Sequence, residues 1–142
     1  MANAIVNCEL GDIFIVYWGG HGSVIDKQFH LKTNCDQIGS YMLLRMLQYS
    51  KAELLIITDA CYSGQMITDF GLHKPVFIIP ATLICSTQYD NQAMTGWRLV
   101  QLLIDYTFQK NVFLTPQNLA DYVSDNLVTN WPSQRAIVFK KM

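Results

Sequence analysis

The chain has 142 residues, of which 51% are hydrophobic and 15% are charged. This length suits one compact domain, and the composition excludes a disordered, coiled-coil or collagen-like chain. Ten basic and eleven acidic residues give a net charge of −1 without a block of like charge, so nucleic-acid binding is not expected.

Four apolar runs predict β-strands. The first, residues 13–18, is a continuous β-branched and aromatic run between glycine-containing turns, which is typical of a central strand buried on both faces. Residues 54–58 and 82–86 have the same character, and residues 136–139 supply a fourth strand near the end of the sequence.

Three segments show helical spacing of apolar residues. Residues 37–49 lie between the first two strands, and residues 97–108 and 115–127 lie between the third and fourth. The last helix opens on Thr115 and Pro116, a good N-cap and first-turn pair. Alternating strands and helices predict one α/β domain, residues 1–142, with a largely parallel sheet.

Cysteine usage and the absence of targeting signals predict a cytoplasmic protein. Cys8, Cys35, Cys61 and Cys85 form no CxxC pair, which favours reduced thiols over a disulfide framework or a zinc site. No apolar stretch approaches the roughly 20 residues that a bilayer requires, and no secretory signal opens the sequence. We therefore expect no membrane partner.

Two strand ends carry chemistry. Ligands of such sheets bind outside the carboxyl ends of the strands. The first strand runs into a glycine-rich bend that carries His21, and the second runs into a bend that carries Cys61. Neighbouring parallel strands would bring these two residues to one edge, although they are 40 positions apart in the sequence.

A thiol beside an imidazole and exposed backbone amides has the parts of nucleophilic catalysis. Taken singly, Cys61 could be a small buried hydrophobic residue and His21 a hydrogen-bonded bend residue. Their joint occurrence at matching strand ends favours the catalytic interpretation.

Two motifs resemble those of the caspase-like cysteine peptidases, the group of metacaspases, paracaspases, clostripain, legumain and caspases. Residues 11–22 (GDIFIVYWGGHG) resemble its His-Gly strand, and residues 57–64 (ITDACYSG) resemble its nucleophile motif. The likeness continues through residues 84–87 and 134–138, and so covers nearly all of the chain. It implies a caspase-like, mostly parallel sheet flanked by helices.

The same resemblance implies an incomplete sheet. In the family, two further strands and their helices precede the His-Gly strand, whereas about a dozen residues precede it here. We therefore expect the N-terminal strands of the family to be missing from this chain. Another chain or a missing N-terminal segment would then complete the sheet.

The resemblance also implies the roles of the site residues. His21 would exchange protons with the substrate and the leaving amine, and Cys61 would form the acyl-enzyme. The backbone N–H groups of Gly22 and Cys61 would form the oxyanion hole. No metal or other cofactor takes part in that chemistry, and activation by calcium is left open.

Asp59 stands where the family places a determinant of the pocket for the residue before the scissile bond. Members with Asp there cleave after Arg or Lys, and a carboxylate pairs well with a guanidinium group. Ser86 and Thr87 fall in the segment that resembles the family's substrate groove, and Asp90 is a further candidate for the pocket. The alternative for Asp59 is a turn-capping side chain.

These observations predict a cysteine endopeptidase that cleaves protein substrates after Arg or Lys. One alternative is a caspase-like regulatory or interaction module without activity, because a fold does not determine a function. Another is a different thiol enzyme, such as an acyltransferase or hydrolase on an unrelated α/β scaffold.

Overall fold

The computed structural model describes residues 2–72, 80–87, 98–109, 115–130 and 137–141. In chain order the elements are α1 (Ala2–Val6), β1 (Ile13–Gly19), β2 (His21–Ile25), β3 (Gln28–Lys32), β4 (Gln37–Gly39), α2 (Ser40–Leu47), β5 (Glu53–Asp59), α3 (Gln65–Leu72), β6 (Ala81–Cys85), α4 (Arg98–Gln109), α5 (Pro116–Asn130) and β7 (Ile137–Lys141).

The main sheet has the strand order β1-β5-β6-β7. Strands β1, β5 and β6 are parallel, and β7 pairs antiparallel with β6. The predicted α/β fold is therefore confirmed, with helices on both faces of a mostly parallel sheet. The strands predicted at residues 54–58, 82–86 and 136–139 correspond to β5, β6 and β7.

Strands β5 and β6 separate two hydrophobic cores. Leu54 and Ile56 of β5 face a core built with α2, α3 and β3, whereas Leu55 and Ile57 face a core built with α4 and α5. Full burial of such a side chain stabilises the fold by about 1.5–3 kcal/mol. Both faces of β5 are thus covered, which explains its unbroken apolar sequence.

The prediction of a central strand at residues 13–18 is wrong, because β1 is an edge strand of the described sheet. Its burial alternates along the strand. One face packs on the first core, whereas Ile13, Ile15 and Tyr17 on the other face are 38%, 48% and 43% exposed. In the described part of the chain, α4 and α5 cover β5 and β6 but leave β1 uncovered on that face. An apolar sequence on both faces therefore does not distinguish this edge strand from a buried one.

A second, antiparallel sheet of β2, β3 and β4 was not predicted. Its first two strands are joined by Asp26 and Lys27, whose φ angles are 50° and 61°. Two successive positive φ angles are typical of the tight hairpin turns that Asn-Gly usually forms. The helix predicted at residues 37–49 is shorter in the structure. Residues 37–39 form β4 of this sheet, and α2 spans Ser40–Leu47.

The last two predicted helices are confirmed as α4 and α5. Thr115 caps α5 as expected, since its hydroxyl oxygen accepts the Asn118 backbone N–H at 3.1 Å. The short helices α1 and α3 were not predicted. Among the helices in the described residues, none is both long and apolar enough to cross a membrane.

Candidate active site

The ends of β1 and β5 meet at one edge of the main sheet. The parallel register places Gly19 opposite Asp59. The next residue, Gly20, donates its N–H to the Asp59 carbonyl oxygen at 3.1 Å. The chain that leaves β1 is therefore fastened to the end of the strand that leads to Cys61.

The sequence predicted that His21 lies on the bend after β1, but in the structure it is the first residue of β2. The bend is confined to Gly20, and the antiparallel pairing with Lys32 of β3 begins at His21. His21 thus belongs to a regular hairpin strand, and the strand restricts the His21 backbone more than a glycine-rich bend would. His21 is exposed, and Cys61 is partly buried.

The backbone of Gly22 lies against Cys61. A β-carbon at Gly22 would overlap the Cys61 carbonyl oxygen and would come within 2.7 Å of the Phe29 ring. Only glycine allows so close an approach. His21 therefore sits between Gly20 and Gly22, which contact Asp59 and Cys61 respectively.

Cys61 is carried by a tight turn directly after β5. The Ser63 N–H donates to the Ala60 carbonyl oxygen at 3.3 Å, and Tyr62 takes a φ of +59°. A non-glycine residue in this conformation costs about 1–3 kcal/mol and persists only where its surroundings hold it. The residue after the thiol is thus held in an unfavourable backbone conformation.

Thr87 holds this turn. Its hydroxyl donates to the Ala60 carbonyl oxygen at 3.1 Å and accepts the Ser63 N–H at 3.1 Å. The Ser63 hydroxyl oxygen accepts the Thr87 N–H at 3.2 Å, and the two hydroxyl oxygens are 3.1 Å apart. The turn that carries Cys61 is therefore fastened to the end of β6.

Thr87 and Ser86 were predicted to line the substrate groove. Both are buried, with exposures of 1% and 0%. The Thr87 hydroxyl is occupied by the bonds that hold the turn, so the structure gives it a positioning role, and contact with a substrate stays a prediction. The role of Ser63 was missed, because a serine two residues after a cysteine carries no signal of a partner 24 positions away.

Asp59 lies half-buried at the end of β5. Burial raises the pKa of Asp59, and the neighbouring Ser86 hydroxyl opposes part of that rise. The Ser86 hydroxyl oxygen is itself buried beside this carboxylate.

Tyr17 lies beside Asp59. Its ring lies over Gly19, with ring carbon Cε1 2.9 Å from where a β-carbon of that glycine would lie. Burial raises the pKa of Tyr17, and the negative charge of Asp59 raises it further. A partly exposed aromatic ring beside a half-buried carboxylate is a suitable environment for a cationic group.

One further predicted residue and two other cysteines complete the description of the site. Asp90 lies outside the described residues. Cys35 is exposed, and Cys85 is buried in β6, where burial raises its pKa to about 12. In the part of the chain that the structure describes, no three His, Cys, Asp or Glu side chains are grouped as metal ligands.

No protein-family model matches this chain, and no curated protein matches it in sequence. In structure it is similar to protein GSU0716 from Geobacter sulfurreducens, whose crystal structure aligns with a TM-score of 0.67 at 17% sequence identity. The alignment covers 98% of this chain and 69% of that one. At this identity the likeness shows a shared α/β fold.

Proposed function

We propose that this protein is a caspase-like cysteine endopeptidase in which His21 and Cys61 form the catalytic pair. The observation that carries the proposal is the contact of Gly22 with the Cys61 carbonyl oxygen, together with the bond from Gly20 to Asp59. These contacts bring the backbone on both sides of His21 against the segment that ends in Cys61. Segments that are 40 positions apart in the sequence thereby meet at the carboxyl ends of β1 and β5.

In the proposed reaction, the Cys61 sulfur attacks the scissile carbonyl carbon and its proton passes to His21. The C–N bond then breaks as His21 gives a proton to the leaving amine, which leaves an acyl-enzyme. Water then attacks the thioester carbonyl carbon and gives a proton to His21. The C–S bond breaks, the Cys61 sulfur takes that proton from His21, and the new carboxyl group is released. The backbone N–H groups of Gly22 and Cys61 would stabilise the negative oxygen of each tetrahedral intermediate.

Asp59 is the proposed determinant of specificity for Arg or Lys before the scissile bond. A half-buried carboxylate gains more from a cationic partner than an exposed one does, because fewer water molecules screen the pair. Binding of a guanidinium or ammonium group would also favour the charged form of Asp59, whose pKa burial raises. The partly exposed Tyr17 ring adds a surface on which a planar guanidinium can stack.

Fluorogenic peptides that end in Arg, Lys or Asp test the proposal. We expect cleavage of the Arg and Lys peptides and none of the Asp peptide. Cys61→Ala and His21→Ala should abolish turnover with an unchanged circular dichroism spectrum, whereas Cys35→Ala, at the exposed thiol, should retain it. A folded wild-type protein that cleaves no peptide and resists an Arg chloromethyl ketone would instead favour an inactive interaction module.

We further propose that another strand, from a second chain or a further segment, pairs with β1. The basis is the edge position of β1 and the exposed apolar residues along one of its faces.

A reducing compartment such as the cytoplasm suits the reaction, because it keeps Cys61 as a thiol.

A further inference from the structure

Helix α3 holds the β2–β3 hairpin through two of its side chains. Gln65 donates from Nε2 to the Lys27 carbonyl oxygen at 3.0 Å, at the hairpin turn. One helical turn later, the Asp69 carboxylate accepts the Phe29 N–H of β3 at 2.8 Å. The same carboxylate accepts the Ser40 hydroxyl at the start of α2 and Nε2 of Gln65.

Asp69 is fully buried, with 0% exposure. Burial of a carboxylate costs several kcal/mol unless hydrogen bonds replace its lost water, and here donors from β3, α2 and α3 do so. An apolar side chain could fill the same space but would leave the Phe29 N–H and the Ser40 hydroxyl without this acceptor. The carboxylate therefore fixes one backbone N–H of β3 relative to α3.

The small sheet needs such an attachment. Its strands have five, five and three residues, and sheets of this size are marginally stable unless they pack on other elements. Phe29 and Leu31 of β3 are buried in the first core, whereas Val24 and Ile25 of β2 are exposed. The strand that begins with His21 is thus held to the rest of the protein largely through β3.

The attachment reaches the candidate catalytic pair in two steps. The Phe29 ring, whose backbone Asp69 binds, lies against Gly22. Gly22 in turn contacts the Cys61 carbonyl oxygen and directly follows His21. Helix α3 itself begins at Gln65, immediately after the turn that carries the thiol. Helix α3, which follows Cys61, therefore binds the β2–β3 hairpin, which carries His21.

We propose that Asp69 is a positioning residue that sets the location of His21 relative to Cys61 by fixing the β2–β3 hairpin on α3. This inference rests on the proposed function. Asp69 acts through Phe29 and Gly22.

The test compares Asp69→Asn with Asp105→Asn in the full chain. Asp105 of α4 accepts Nε2 of Gln101 at 2.9 Å with the same four-residue spacing that joins Asp69 to Gln65, but it has no part in the hairpin. The first measurement is amide hydrogen exchange over residues 21–32. The second is the rate of Cys61 alkylation by iodoacetamide at neutral pH, relative to the rate at the exposed Cys35.

We expect Asp69→Asn to accelerate exchange in residues 21–32 at least tenfold while exchange in β5 and β6 stays unchanged. Alkylation of Cys61 at neutral pH should slow toward the rate of the exposed Cys35, and kcat should fall more than KM rises. Asp105→Asn should change none of these. If Asp69→Asn does not fold, Ser40→Ala removes a single donor to the carboxylate and should give the same changes at smaller size.

Unchanged exchange in the hairpin of the Asp69 variant would overturn the inference, whatever the protein catalyses. Faster exchange with an unaltered rate of Cys61 alkylation would also overturn it, provided that His21→Ala slows that alkylation. A His21→Ala variant in which Cys61 is alkylated at the wild-type rate would instead contradict the proposed catalytic pair. The two failures are therefore distinguishable.

Discussion

Thr87 and Ser63 bind each other in both directions, since each hydroxyl oxygen accepts the backbone N–H of the other residue at 3.1–3.2 Å. This reciprocal pair joins the end of β6 to the turn after β5. It holds the backbone around Tyr62, which takes a positive φ one residue after the thiol. The position of Cys61 therefore depends on a side chain from a neighbouring strand.

Thr87→Val should destabilise the protein and slow its reaction. The change keeps the shape of the side chain but removes its bonds to Ala60 and Ser63, which leaves buried polar groups without partners. We expect a loss of about 1–3 kcal/mol in the free energy of unfolding, measured by urea denaturation, and a lower kcat.

Thr87→Ser, which keeps the hydroxyl, should retain most of both properties. Thr33→Val is the matched control, because the Thr33 hydroxyl makes a comparable bond to the Asp36 carbonyl oxygen in an exposed loop. Equal losses in Thr33→Val and Thr87→Val would contradict a specific role for the Thr87 hydroxyl.

The parts of the fold that the sequence predicts are those with strong local patterns. Strands β5 and β6 are covered on both faces, and their unbroken apolar runs identify them directly. The hairpin of β2 and β3 was missed because its tight turn holds Asp26 and Lys27 rather than the usual Asn-Gly. Local pattern also could not show that β1 is an edge strand, because that depends on which helices reach it.

For the site, the sequence identifies the residue types but not what holds them. His21 and Cys61 are predicted from their positions after strands and Asp59 from the family resemblance, and the structure brings their segments together. The bond between Thr87 and Ser63 joins residues 24 positions apart, and the bond between Asp69 and Phe29 joins residues 40 apart. Such pairs exist only in the folded chain and leave no periodicity.

Gly22→Ala should impair both stability and activity. The added methyl group would overlap the Cys61 carbonyl oxygen, which belongs to the backbone and has little room to move, and would crowd the Phe29 ring. Overpacking of this kind typically costs about 1–3 kcal/mol, and relief by moving the hairpin would shift His21. Thermal unfolding and peptide turnover would measure the two effects.

Gly71→Ala is the control for that change. Gly71 is exposed in α3, and a β-carbon there would meet nothing within 4 Å. Alanine is the better helix former by about 0.5–1 kcal/mol, so this variant should be as stable as the wild type or slightly more stable. If Gly22→Ala behaves like Gly71→Ala, the close approach to Cys61 does not constrain the site.

Cys61 should be the most reactive thiol of the folded protein. Cys85 is buried, with a pKa raised to about 12, and should stay unlabelled until the protein unfolds. Cys35 is exposed and should react as an ordinary thiol. Brief alkylation at neutral pH followed by peptide mass mapping should therefore find the label first at Cys61. Equal labelling of Cys35 and Cys61 would argue against activation by His21.

The edge of β1 that no described strand pairs with should mediate association. Ile15 is 48% exposed on the uncovered face of β1, and unpaired strand edges readily accept another strand. We expect sedimentation velocity to show a concentration-dependent species larger than the monomer, and Ile15→Lys to shift the distribution toward the monomer. Ile104→Lys, on α4 with a similar exposure of 43%, should not. A wild-type protein that stays monomeric at all concentrations would contradict pairing with a second chain.

Asp59→Asn should stabilise the fold and weaken the specificity for Arg or Lys. In the folded protein burial raises the pKa of Asp59, so the ionised carboxylate is disfavoured there relative to the unfolded chain. Its ionisation therefore destabilises the fold at pH values above the folded-state pKa. This effect disappears as the pH falls below the unfolded-state pKa of about 3.9.

Asp59→Asn should accordingly raise the Tm at pH 7 relative to the wild type, and the difference should shrink steadily toward pH 3. The same change removes the charge that is proposed to bind Arg or Lys. KM for an Arg peptide should therefore rise at least tenfold, although the fold itself is not destabilised. In the wild type, KM for that peptide should rise on acidification at a higher pH than an ordinary aspartate would give. An Asp59→Asn variant that keeps its preference for Arg would place the specificity determinant elsewhere.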